Sequence, residues 1–141
     1  MQNSREKAAV SQPFIAIATL GIKEGKLEDF TRSYREVVET VKEHEPRMIA
    51  FHGFVNDEGT EMTIIQVHPD TASMDVHMQV LRDKLAEHVA RALGPELIEP
   101  TRVEYYGTPS ETALEMDRQI PGFAVGIKPV HVGGFTRTTT G

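Results

Sequence analysis

The sequence predicts an α+β domain of β-α-β-β-α-β order, followed by a short helix and one more strand. Three observations carry this. Short β-branched and aromatic runs alternate with two longer stretches whose apolar residues recur every three or four positions. A polar loop with a glycine, Asn56-Asp57-Glu58-Gly59-Thr60, separates two of the short runs at hairpin distance. At 141 residues, 39% hydrophobic and 26% charged, the chain has the size and apolar content of one globular domain, which excludes global disorder.

Residues 1 to 12 are polar and read as a flexible arm. Phe14 to Ile22, rich in Ile, Phe and Thr, reads as a strand that ends in the turn Lys23-Glu24-Gly25-Lys26. Leu27, Phe30, Tyr34, Val37, Val38 and Val41 then form one stripe on a helix over about 27–44, with Glu28, Arg32, Arg35, Glu36, Glu39 and Lys42 opposite. Pro46 stops that helix, because the residue before a proline avoids helical angles. Met48 to Val55 and Glu61 to His68 read as the two strands of the hairpin. Asp70, Thr71 or Ser73 caps a second helix. Its stripe is Val76, Val80, Leu81, Leu85, Val89 and Ala92, and Gly94-Pro95 ends it. Thr101 to Tyr106 is a fourth strand. Within the extension over 108–141, Pro109 to Gln119 reads as a short helix. Phe123, Val125 and Ile127 alternate as in a strand, which Pro129 confines to a sheet edge. The last five residues read as frayed. An antiparallel four-stranded sheet with two helices on one face, a ferredoxin-like arrangement over 13–107, leaves the other face bare, and a second subunit is the usual cover.

Composition excludes several function classes. Fifteen basic against 21 acidic residues give a net charge of −6, the wrong sign for a nucleic-acid groove. The charge is uneven, since no acid follows Asp117. With no cysteine there is no disulfide, thiolate metal site or Cys nucleophile. The longest strictly apolar run, Phe14 to Ala18, is far short of the about 20 residues of a membrane span, and the polar start does not read as a signal peptide. A cytoplasmic address is the expectation. Gly133-Gly134 lacks a phosphate-loop context, the serines lack a nucleophile elbow, and Met74 and Met78 read as core.

The six histidines are the most suggestive chemical supply: His44, His52, His68, His77, His88 and His131. None forms the i, i+4 pair that puts two imidazoles on one metal. His77 and His88 share a face of one predicted helix but lie about 16 Å apart along its axis. No metal is therefore expected. His52 and His68 sit on neighbouring strands, with Met48, Ala50, His52 and Phe54 on one face and Ile49, Phe51, Gly53 and Val55 on the other. An imidazole on an apolar face is either a buried neutral histidine with a partner or a general base in a pocket. His77 flanks the stripe of the second helix, near Val80 and Leu81. Tyr34 lies on the stripe of the first helix, and Tyr105 and Tyr106 point to opposite faces of the fourth strand. A buried phenol is more often structural than catalytic.

The Lys-Glu-Gly-Lys turn, the Asn56–Thr60 loop, the Met62 to Val67 strand and the following helix with Ala72, Ser73 and His77 together resemble the antibiotic biosynthesis monooxygenase family of dimeric α/β barrels. The resemblance implies two ferredoxin-like subunits packed sheet to sheet, with a small cavity between sheet and helices. Some members oxidise quinols or polycyclic phenols with dioxygen and no cofactor, some degrade haem, and others isomerise small carbonyl compounds. His77 falls where many members carry a helix histidine. The chain has no Trp, so the haem-degrading reading loses its central residue. On this resemblance the expected function is a cofactor-independent monooxygenase of a small aromatic or quinol, with His77 or His52 as catalytic base. Tyr34, Gln66, Asn56, His68 and Tyr105 are the expected substrate-binding residues. The rivals are an isomerase or lyase using a histidine base, and a non-catalytic dimeric binding module.

Overall fold

The computed structural model describes residues 12–94 and 97–137, so all but Gln12 of the predicted N-terminal arm and all but Arg137 of the predicted frayed C-terminus lie outside the described residues. The elements are β1 (Phe14–Gly21), α1 (Leu27–His44), β2 (Ala50–Val55), β3 (Glu61–His68), α2 (Thr71–Lys84), α3 (Ala86–Leu93), β4 (Arg102–Tyr106), α4 (Glu111–Arg118) and β5 (Ala124–Lys128). They form the expected α+β, ferredoxin-like fold. The strands make one open sheet of order β2-β3-β1-β4-β5. β1 lies antiparallel between β3 and β4, with Phe14 opposite His68 and Ile15 opposite Tyr106. β5, from the extension, adds parallel to β4 at the edge.

The strand period of two decides which residues face the helices. Phe14, Ala16 and Ala18 of β1, Val103 and Tyr105 of β4, and Met74 and Met78 of α2 share one core cluster, which Ala113 of α4 joins. Val41, Val80 and Leu85 form the second cluster, against Phe51. The opposite face carries Ile15, Ile17, Ile65 and Val67, half-buried, and Phe54, which is 61% exposed.

The structure corrects three expectations. The second helix is not continuous to Ala92. It stops at Lys84, and Leu85 turns out of helical angles at φ −124° before α3 begins. No proline or glycine causes this. Leu85 is 1% exposed and packs with Val41 and Val80, so the break brings its side chain to α1. His77 and His88 consequently stand on different helices rather than one face of one helix. The buried face of α2 is also rotated from the predicted stripe. Val76 is 41% exposed, while Ser73, Met74, His77 and Met78 are buried. Finally, β2 begins at Ala50, two residues later than expected, although the Ile49 N–H already donates to Val67 O at 2.8 Å.

The Asp70 carboxylate caps α2 by accepting from the Ser73 N–H at 3.0 Å, and the Arg47 guanidinium bonds its other oxygen. That bond holds the Asp70 carboxyl below the usual carboxylate range. No helix among the described residues is long and apolar enough to cross a membrane.

Candidate active site

The helix-facing side of the sheet carries an unusual set of buried polar groups. His68 is 0% exposed and His77 2%. Their positions follow from the two periodicities: even-numbered residues of β3 face the helices, which buries Gln66 and His68, and the rotated face of α2 places His77 over them. The His68 and His77 ring centroids are 6.0 Å apart. His68 Nδ1 lies 2.7 Å from Ser73 Oγ and its Nε2 3.0 Å from Gln66 Oε1. A neutral imidazole satisfies both: the serine hydroxyl donates to Nδ1, and Nε2–H donates to the amide oxygen. Burial, with the nearby His77 second, pushes the His68 pKa down to about 4.

His77 is held differently. Its Nδ1 is 3.0 Å from Glu45 Oε1 and 2.9 Å from Oε2, and both side chains are 2% exposed. A carboxylate can only accept, so the proton lies on Nδ1. Glu45 follows the last turn of α1, where its N–H donates to Val41 O at 2.9 Å. It stands seven residues after Val38 and four after Val41, so it continues the apolar stripe and points inward. Reading of the sequence missed it, although that spacing was the available signal. Phe51 packs its ring 5.7 Å from His77 and 5.6 Å from Tyr34. The Tyr34 hydroxyl is buried without a hydrogen-bond partner among the described residues, and burial raises its pKa to about 12.

The other predicted site residues lie elsewhere. Asn56 closes the hairpin loop: its Oδ1 accepts from the Thr60 and Glu61 N–H groups at 2.9 and 3.1 Å, and its Nδ2 donates to Thr60 Oγ1. Tyr105 donates its hydroxyl to Asp117 Oδ2 at 2.6 Å, burying a pair that ties β4 to α4. Burial raises both groups' pKa values. His52 is exposed on the open sheet face, its ring 6.4 Å from that of Phe54, so it is not the buried neutral histidine that the apolar alternation allowed.

A groove of about 320 Å³ opens at the β2 edge, between the end of α1 and the strand. It is lined by Val38, Val41, Lys42, Glu45, Met48, Phe51 and His52, among others. Because β2 is an edge strand, adjacent residues Phe51 and His52 reach the groove from the two faces of the sheet. Glu45 therefore joins the groove to His77. A larger depression of about 640 Å³ lies on the outer side of α1, bordered by Leu27, Glu28, Thr31, Arg32 and Arg35. None of the buried titratable groups described above lines it, and Glu28, Arg32 and Arg35 are exposed, so it is the weaker candidate despite its size. Among the described residues no group of three or more His, Asp or Glu side chains is arranged to hold a metal ion.

The family model for antibiotic biosynthesis monooxygenases matches residues 13–93. The crystal structure of MupZ from Pseudomonas fluorescens is similar, with a TM-score of 0.63 at 19% identity over 89% of this chain and 95% of that one. So are a conserved protein from Methanosarcina mazei Go1, with a TM-score of 0.56, 18% identity and 71% and 96% coverage, and an antibiotic biosynthesis monooxygenase with a TM-score of 0.56, 22% identity and 69% and 99% coverage. No curated protein sequence matches the chain. Likenesses at such identities show the fold, whereas the family model spans more than half of the sequence. On that match, the chain belongs to the antibiotic biosynthesis monooxygenase family.

Proposed function

We propose that the protein is a homodimeric, cofactor-independent monooxygenase that oxidises a small aromatic or quinol at the β2-edge groove, with the His77–Glu45 pair as its acid–base centre. The observation that carries this reading is a buried imidazole–carboxylate pair, His77 and Glu45, next to a largely apolar groove that Glu45 helps to line. Family membership supplies the reaction class. A buried, oriented base is what such an oxidation needs from a protein: it removes the hydroxyl proton and leaves an electron-rich ring able to reduce dioxygen. One oxygen atom enters the ring and the other leaves as water, the substrate supplying the electrons. The Tyr34 hydroxyl, buried without a partner among the described residues, lies against Phe51 behind the groove and would orient a substrate oxygen that reaches it. His52 stands at the rim as a second titratable group. Gln66 and His68 hold the wall behind His77. Asn56 and Tyr105 already engage their polar atoms in the fold and take no substrate role in this reading.

The apolar open face supports a dimer closed sheet to sheet, as is typical of the family. Charge placed at its centre, as in Ile65→Lys, is expected to convert a dimer to a monomer in size-exclusion chromatography. A second reading, an isomerase or lyase, draws on the same observation, since an imidazole–carboxylate pair can take a proton and return it. The test is oxygen uptake by EDTA-treated protein with quinols and polycyclic phenols, heat-denatured protein serving as control. Uptake that survives chelation supports the monooxygenase. Deuterium exchange into carbonyl compounds without oxygen uptake supports the isomerase. Neither activity leaves a non-catalytic binding module and overturns the proposal.

A further inference from the structure

We infer that the segment after β5, residues 129–137, is an arm that crosses to a second copy of this chain and closes the mouth of that copy's β2-edge groove. The inference rests on the sheet-to-sheet dimer proposed above and adds which sheet edges meet and what each copy brings to the other's groove.

The arm exposes apolar side chains that the rest of the chain does not cover: Val130 is 79% exposed, Val132 95% and Phe135 80%. Its last tie to the sheet is the Gly107 N–H donating to Lys128 O at 2.9 Å, and among the described residues no backbone–backbone hydrogen bond involves residues 129–137. At the opposite edge of the sheet Ile49, Phe54 and Val55 are exposed as well. Four strand spacings separate β2 from β5, about 19 Å, so the two edges do not meet within one chain. The pairing register brings out one further relation. Lys128 pairs with Tyr106, Tyr106 with Ile15, Ile15 with Val67 and Val67 with Ala50. The arm thus leaves the sheet at the level where β2 begins, and the groove lined by Met48, Ile49 and Ala50 opens at that same end.

Two sheets stacked about a two-fold axis have two limiting settings. An axis across the strands lays β2 over β2 and leaves each arm at the edge away from it. An axis along the strands lays β5 over β2 of the partner and preserves every level, so each arm emerges beside the partner's groove. Stacked sheets lie about 10 Å apart, a gap that three or four extended residues span. Val130, Val132 and Phe135 then meet the apolar wall that Val38, Met48 and Ile49 provide. Charge favours the same contact. Lys128 and Arg137 are the only charged residues after Arg118, so this end carries +2 while residues 1–118 carry −8. The family model ends at residue 93, so the arm is a feature of this chain beyond the matched region. With its mouth covered the groove is shielded from water, and a polar group inside it acts more strongly on a bound molecule.

The chain has no cysteine, which makes cross-linking clean. Under mild oxidation the double variant Ile49→Cys with Val132→Cys should form a covalent dimer on a non-reducing gel. Thiols held together by the interface meet at millimolar effective concentration, so at micromolar protein this should run at least about tenfold faster than with either single variant. A disulfide within one chain, or equally fast linkage through Ile49→Cys alone, overturns the inference. In sedimentation, Val132→Asp with Phe135→Asp should weaken the dimer at least about tenfold, since each arm loses buried apolar area. Both side chains are exposed in the single chain, so its circular dichroism should not change. An unchanged dimer constant overturns the arm. A wild-type dimer without the cross-link overturns the arm and leaves the sheet-to-sheet dimer standing, whereas a wild-type monomer at micromolar concentration overturns both. No readout depends on turnover, so the monooxygenase reading stands or falls separately.

Discussion

Replacing His77 by alanine tests the buried pair directly. The substitution strands the Glu45 carboxyl, 2% exposed, without the Nδ1–H donor that now lies 2.9 and 3.0 Å from its oxygens. Removing one partner of a buried pair costs about 3–5 kcal/mol, because the other keeps its desolvation penalty. At about 3 °C per kcal/mol for a domain of this size, the melting temperature should fall by about 10 °C or more. The double variant Glu45→Leu with His77→Leu removes both polar groups and refills the space. It should lie within about 1 kcal/mol of the wild type, as replacements of buried pairs by apolar residues often do. The assay is urea unfolding of the wild type, His77→Leu, Glu45→Leu and the double variant, closed as a thermodynamic cycle. The expected coupling is more than about 2 kcal/mol. A His77→Ala protein within about 1 kcal/mol of the wild type, or a strictly additive double variant, would refute the reasoning.

Three further outcomes follow from the same core. His68, its pKa lowered to about 4 by burial, contributes stability that is present above the unfolded value of about 6.5 and is lost as pH falls from there through about 4. His68→Gln should flatten the unfolding free energy across that window, and the His68 ring signals should show no titration near pH 6. Asp117, its carboxyl raised by burial, favours the folded state below its unfolded pKa, and that advantage is lost as pH rises through the folded value. Asp117→Asn, still able to accept from the Tyr105 hydroxyl, should therefore lose that part of the pH dependence in thermal melts. Gly53→Ala would place a Cβ 2.7 Å from the Tyr34 ring, so it should cost about 1–3 kcal/mol in urea unfolding, and Tyr34→Leu in the same chain should recover part of the loss.

Much of the fold was legible because local rules and tertiary packing agree along most of the chain. The helix from Leu27 to His44, the stop before Pro46 and the Asn56–Thr60 loop each act through neighbours in sequence, and the structure forms each of them, although Leu27, which opens the helix's apolar stripe, is 40% exposed. The break at Leu85 was not legible, since nothing between Arg82 and Ala86 disfavours a helix. It comes from a contact with α1 that no local pattern encodes. His52 shows a second kind of limit. Alternation separates it from Phe51, but both faces of β2 are apolar, so the pattern does not say which one the helices cover. Glu45 shows a third. An acid at the end of a charged helix reads as solvated, and only the spacing from Val38 and Val41 marks it as inward-facing. Its partner sits on another helix, so the pair exists only once α1 and α2 have packed.

The central place of β1 constrains how the chain is made. The strand that covers the second side of β1, β4, leaves a ribosome about ninety residues after it, which makes that pairing strongly non-local. Until β4 arrives, β1 is an edge strand with unpaired backbone groups, and Phe14 and Ala16 lack the cover of Tyr105 and Val103. Synthesis at about 5–20 residues per second leaves that edge open for several seconds in each new chain. A nascent protein stalled before Tyr106 would thus present a ready template for strand addition by its neighbours, and slowing elongation across residues 70–100 should increase aggregation without altering the stability of the finished domain.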